Sequence, residues 1–156
     1  MINPSPTAIP TTSECSWQEL LSNAISDPKT LMHMLEIDWK PSPEVQQACN
    51  TFALKVPLPY LDKMEKGNLQ DPLLRQILPL SEEMNQVPGY NNDPLAEQSS
   101  NPCEGLIHKY KGRVLLILTG ACAVNCRYCF RRHFPYQENR LGPAQWQNIL
   151  DYLSSD

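Results

Sequence analysis

The sequence predicts an α/β chain: a helical N-terminal region followed by one strand-loop-helix unit. Three observations predict it. Proline-led helix starts recur through the first half, the run Val114–Leu118 is almost wholly apolar, and a cysteine-bearing loop leads from that run into an amphipathic stretch at Ala144–Leu153.

The elements follow in order. Ser16-Trp17-Gln18-Glu19 is a capping-box pattern, and Trp17, Leu20, Leu21, Ala24 and Ile25 then fall on one helical face, so a helix is expected over Trp17–Ser26. Asp27-Pro28, Ser42-Pro43 and Asp71-Pro72 each set an N-capping side chain before a proline at the first helical position, where the missing N–H costs nothing. Val45, Ala48, Cys49 and Phe52 make one apolar stripe, and Leu73, Leu74, Ile77 and Leu78 make another. A short helix is expected to begin near Pro59 and to stop at Gly67. All these stripes are assigned to core packing.

Residues 85–104 are polar and punctuated by Pro88-Gly89, Asn91-Asn92-Asp93-Pro94 and Ser99-Ser100-Asn101-Pro102, which reads as a linker. Leu106–Lys111 and Arg113–Leu118 read as extended segments around Gly112. The second is apolar enough for a strand covered on both faces, as in a parallel sheet. Gly142-Pro143 then starts a helix carrying Trp146, Ile149, Leu150 and Leu153 at helical spacing. The loop therefore lies at the C-terminal end of a strand, where α/β barrels place their chemistry, although one such unit cannot close a barrel. The expected divisions are a flexible tail over 1–13, a helical region over 14–84, a linker over 85–104 and a strand-loop-helix region over 105–156.

Composition narrows the function. The chain has 156 residues, 41% hydrophobic and 19% charged, with a formal net charge of −4. That is the profile of a soluble globular domain. With 13 Lys and Arg against 17 Asp and Glu, no overall positive field exists to collect phosphates, which argues against nucleic acid as a partner. Residues 1–13 lack the charged and apolar regions of a signal peptide, and no apolar run reaches membrane-spanning length. A reducing cytoplasm is the expected location.

The chemistry is concentrated at Cys122-Ala-Val-Asn-Cys126-Arg-Tyr-Cys129. A C-x3-C-x2-C triplet can give an iron-sulfur cube three thiolates and leave one iron open to a small-molecule ligand, whereas electron-carrying clusters usually take four cysteines. Zinc is the competing reading. A structural zinc wants four ligands, and His133, His108 or Cys103 could supply the fourth. Cys15, Cys49 and Cys103 otherwise read as small apolar residues rather than as a disulfide framework. Arg127, Arg131 and Arg132 form a basic stretch beside the triplet.

The triplet resembles the signature of the radical S-adenosylmethionine (SAM) enzymes, in which SAM chelates the open iron and the aromatic residue before the third cysteine, here Tyr128, lies by the adenine. Three longer strings sharpen the resemblance: Asp93-Pro94-Leu95-Ala96-Glu97, Gly105-Leu106-Ile107-His108-Lys109-Tyr110, and Gly120 through Tyr136 around the cysteines. Together they resemble the lysine 2,3-aminomutase family, and most of all its branch that supplies (R)-β-lysine for modifying translation elongation factor P. The resemblance implies a partial (β/α) TIM-like barrel behind the helical region, holding a 4Fe-4S cluster, SAM and pyridoxal 5'-phosphate (PLP).

By that resemblance Cys122, Cys126 and Cys129 ligate the cluster, and Lys109, Tyr110 and Arg113 hold the PLP phosphate. Arg131 takes the carboxylate of the lysine substrate. A dianionic phosphate suits two cations and a phenol, and a carboxylate suits the forked donors of arginine. Lys109 stands where the aminomutases commonly have arginine, so two-pronged binding is lost there. An electron donor such as flavodoxin or ferredoxin is implied, and elongation factor P is an indirect partner. No catalytic residue is assignable within this chain. The positions that link PLP and bind the lysine ammonium find no match, so the chain reads as an N-terminal part of such an enzyme, inactive alone. A zinc-stabilised binding module and an inactive helical fragment are the alternatives.

Overall fold

Two of the three proline-led starts fold as α-helices in the computed structural model, which describes residues 15–155; the expected tail over 1–13 lies outside them. The first helix, α1 (Trp17–Ser22), carries the full capping box, with Ser16 Oγ accepting from the Glu19 N–H and the Glu19 carboxylate accepting from the Ser16 N–H. It is shorter than expected. Ile25 lies beyond its end and forms an antiparallel bridge with Val56, through N–H···O bonds of 2.8 and 3.0 Å. Asp27 caps α2 (Pro28–Met34) at the Thr30 N–H, and Ser42 caps α3 (Pro43–Thr51) at the Val45 N–H.

At the third start Asp71 also accepts from N–H groups, those of Leu73 and Leu74 on one oxygen and that of Glu65 on the other. Yet only a 3-10 turn follows, Leu74–Gln76. Pro79 disfavours helical geometry at Leu78 and so removes the room for an α-helix. The short helix α4 (Leu58–Leu61) begins just after Pro57 and ends well before Gly67. Gly67, at φ +72°, instead donates its N–H to the Leu35 carbonyl at 2.7 Å. Leu31, Met32, Leu35, Leu54, Val56, Leu74 and Ile77 fill the core of this part.

The apolar run after Gly105 makes a hairpin. β1 (Leu106–Tyr110) pairs antiparallel with β2 (Arg113–Leu116), with Leu106 opposite Leu116, Ile107 opposite Leu115 and Tyr110 opposite Arg113. A two-residue connection permits nothing else, and Gly112 at φ +75° closes it. The expectation of a strand covered on both faces is therefore corrected. Among the described residues β2 pairs with β1 alone, and Leu115 and Leu118 remain 43% and 67% exposed. Only Ile117, whose N–H donates to the Gly105 carbonyl, is buried in that run. The last helix, α5 (Pro143–Ser155), buries Ile149 and leaves Trp146, Leu150 and Leu153 largely open to solvent.

The described residues form two compact units, one of residues 15–84 with 123–127, the other of 85–122 with 128–155. In the second, Ile107, Ile117 and Phe134 cluster with Tyr136 against them. No helix among the described residues is long and apolar enough to cross a membrane.

Candidate functional site

Residues 123–127 of the cysteine loop belong to the helical unit and the residues on either side to the second, and each segment is held within its own unit. At its entry Gly120 lies against the ring of Tyr136, where a Cβ would come 2.7 Å from Cγ, so no larger residue fits without moving that ring. Phe134 packs edge-on to the same ring, with centroids 5.0 Å apart. The middle of the loop belongs to the helical unit. Val124 packs on its apolar core, Asn125 donates from Nδ2 to the Ala53 carbonyl at 2.9 Å, and the Arg127 N–H donates to the Gln76 carbonyl at 2.8 Å. Arg127 Nε also meets Glu83 Oε1 at 2.7 Å. Both neighbours of Cys126 are thus tied to carbonyls of the helical unit, which fixes the backbone on either side of that thiol.

Cys122 is exposed, Cys126 and Cys129 are half-buried, and all are free thiols. The donor set fits an iron-sulfur cluster in kind: three thiols within eight residues of backbone that is neither helix nor strand. Among the described residues no three Cys, His, Asp or Glu side chains are gathered as a metal cage. Two cysteines outside the triplet hold their protons more tightly than a free thiol. Burial, and then the charge of Glu83, raises the pKa of Cys49; burial, and then Glu104, does the same for Cys103. His108, a possible fourth zinc ligand, has its Nδ1 2.7 Å from the Tyr152 hydroxyl.

The hairpin brings Lys109, Tyr110 and Arg113 together. The Arg113 guanidinium stands 4.6 Å from the Tyr110 ring centroid and the Lys109 ammonium 6.0 Å from it. Tyr110 is 55% exposed, so phenol and cations are open to an anion. Lys109 Nζ also donates to the Leu95 carbonyl. Tyr128 is exposed.

Arg131 is not alone. Its Nε and Nη2 donate to the two oxygens of Glu97 at 2.7 and 2.6 Å, and the Phe130 ring centroid lies 5.1 Å from its guanidinium carbon. The hydrogen bonds that Arg131 donates to Glu97 raise its pKa further, outweighing burial. Sequence reading gave Glu97 no role, although it closes the string Asp93-Pro94-Leu95-Ala96-Glu97. An acid closing a proline turn was the available signal. Asn125 and Glu83 were missed as well, and no local pattern marks them.

No family model matches the chain. Curated relatives do. It is 46% identical over 142 residues, 91% of its length, to an L-lysine 2,3-aminomutase of Haemophilus influenzae, and 47% identical over 146 residues, 93% of its length, to that of Escherichia coli. It covers 42% of each. To the L-lysine 2,3-aminomutase of Clostridium subterminale it is 28% identical over 138 residues, 88% of this chain and 33% of that protein. A match that leaves 14 of 156 residues outside necessarily contains positions 122–129.

Proposed function

Along the two-fifths of its relatives' length that it spans, the chain belongs to the L-lysine 2,3-aminomutase family, and from that premise we propose that it carries the cluster loop of a radical SAM aminomutase converting L-lysine to β-lysine. The observation that carries this reading is the triplet Cys122, Cys126 and Cys129, free in an irregular loop and lying inside the stretch shared with those relatives. We place the product as (R)-β-lysine destined for elongation factor P, in a cytoplasmic enzyme that receives electrons from a flavodoxin or ferredoxin.

The residues divide the work. Cys122, Cys126 and Cys129 supply three thiolates to a 4Fe-4S cluster, Tyr128 lies beside SAM, and Lys109, Tyr110 and Arg113 hold the PLP phosphate. Arg131 receives the carboxylate of lysine. When bound, these groups supply a one-electron source, a radical able to take hydrogen from an unactivated carbon, and an electron sink for moving the nitrogen. The protein's share is placement. Asn125 and Arg127 hold the backbone around Cys126, and Glu97 keeps Arg131 oriented. The hairpin and α5 take the place of the first strand and helix of a partial barrel, whose neighbours lie in the remainder of such an enzyme.

The test uses a protein that joins this chain to the remainder found in its relatives, purified without oxygen. Iron with sulfide, deoxyadenosine release from SAM, and β-lysine by mass spectrometry are expected. Stoichiometric zinc in colourless protein would instead support a zinc-stabilised binding module, and no metal an inactive helical fragment. The 156-residue chain alone, given lysine, SAM, PLP and a strong reductant, is expected to make no β-lysine, because no position in it matches the family's PLP-linking lysine or ammonium-binding acids and Arg131 alone does not fix lysine in a reactive pose.

A further inference from the structure

The string Asp93–Glu97 folds as a turn with one evident product. Asp93 accepts the Glu97 N–H on Oδ1 at 2.9 Å, the Gln98 N–H on Oδ2 at 3.0 Å, and the Ala96 N–H on its carbonyl at 3.0 Å. Ala96 takes φ +50° to make the corner. The turn delivers Glu97, 7% exposed, to Arg131. A guanidinium has two edges that can each grip a carboxylate with two parallel N–H bonds. Glu97 fills the Nε/Nη2 edge, and the Nη1/Nη2 edge has no partner among the described residues.

We propose that Glu97 is a positioning residue that locks Arg131 by its inner edge and so leaves the outer edge to the α-carboxylate of the substrate amino acid. This rests on the reading of Arg131 as the carboxylate-binding residue. The rival geometry, with Glu97 occupying the place of the substrate until displaced, is disfavoured by burial. Moving Glu97 aside would leave a buried carboxylate without the guanidinium, and the three bonds of the Asp93 turn hold the backbone that carries it in place. The two schemes also differ in sign. A positioning acid strengthens substrate binding, whereas a competing one weakens it.

Binding of labelled L-lysine and of lysinamide, which lacks the carboxylate, to the PLP-loaded whole protein by equilibrium dialysis decides the matter, with no reductant present so that nothing turns over. Glu97→Gln should weaken lysine binding about tenfold and leave lysinamide unchanged, since an amide offers only one acceptor to the inner edge. Glu97→Asp, one methylene short, should fall between. Arg131→Ala tests the underlying reading: it should abolish the preference for lysine over lysinamide. If Arg131→Ala does so while Glu97→Gln binds lysine as well as or better than the unaltered protein, the positioning role is wrong and the carboxylate site stands. Should Arg131→Ala keep the preference, both fall. If Glu97→Gln does not fold by circular dichroism, an unchanged lysine-to-lysinamide ratio in Glu97→Asp overturns the proposal in its place.

Discussion

Arg127 Nε and Glu83 Oε1 lie 2.7 Å apart, joining the residue after Cys126 to the 3-10 turn Ser81–Met84. Their side chains are 25% and 12% exposed, enough burial for the pair to matter and enough solvent to temper it. Replacing Arg127 by alanine takes the guanidinium from a largely buried Glu83 carboxylate and should cost about 1–3 kcal/mol, below the full value of a wholly buried pair. Urea denaturation of the whole protein measures this. A shift in midpoint equivalent to less than about 0.5 kcal/mol would make the contact a surface ion pair of no consequence.

Cysteine substitutions should fall into two groups. Cys122→Ala, Cys126→Ala or Cys129→Ala removes one of three thiolates and should abolish deoxyadenosine formation from SAM, whereas alanine at Cys15, Cys49 or Cys103 should leave it largely intact. Circular dichroism read beside iron content and the SAM assay separates a lost cluster from a misfolded chain. Deoxyadenosine production persisting in Cys126→Ala would sink the ligand assignment.

Arg113→Ala should weaken PLP binding by about 1.5–3 kcal/mol, the worth of one charge-assisted hydrogen bond, with iron content unchanged. It also removes the cation standing 4.6 Å from the Tyr110 ring. Spectrophotometric titration with PLP gives the number, and an unaltered affinity would return Arg113 to the role of a turn residue.

Acid should probe Asp71. Burial pushes its carboxyl up, but the N–H groups of Leu74, Glu65 and Leu73 outweigh that, so its pKa lies below the ordinary aspartate value. A depressed folded pKa means stability that is full above the unfolded value of about 3.9 and lost as pH falls through the folded one. Urea midpoints measured from about pH 6 to pH 2 should therefore drop more steeply for the unaltered protein than for Asp71→Asn. Parallel curves would show that the carboxylate contributes nothing in its charged form.

Local chemistry was the legible part of the fold. Ser16, Asp27 and Ser42 cap helices where the pattern placed them, because capping needs only neighbours in sequence. What failed depended on distant partners. The end of α1 was misjudged because Val56, 31 positions along, draws Ile25 into a bridge. The two extended segments around Gly112 are where the pattern puts them, but an apolar run alone does not tell a doubly covered strand from an edge whose partner precedes it. At the site, the thiols and cations announce themselves by residue type, while Glu97, Asn125 and Glu83 act through contacts 34, 72 and 44 residues away in sequence, which no spacing rule captures.

The turn from Asp93 to Glu97 makes contact at two of its positions, through the Leu95 carbonyl to Lys109 and through the Glu97 carboxylate to Arg131. Its length is thereby a ruler. Loops of this polar, proline-rich kind ordinarily accept insertions and deletions freely. Here one residue gained or lost between Asp93 and Glu97 would break the Asp93 capping bonds and carry one contact out of register while the other held. A library of single-residue indels over positions 85–104 should then show tolerance on both flanks and a sharp gap at 93–97, a footprint in sequence length rather than in sequence identity.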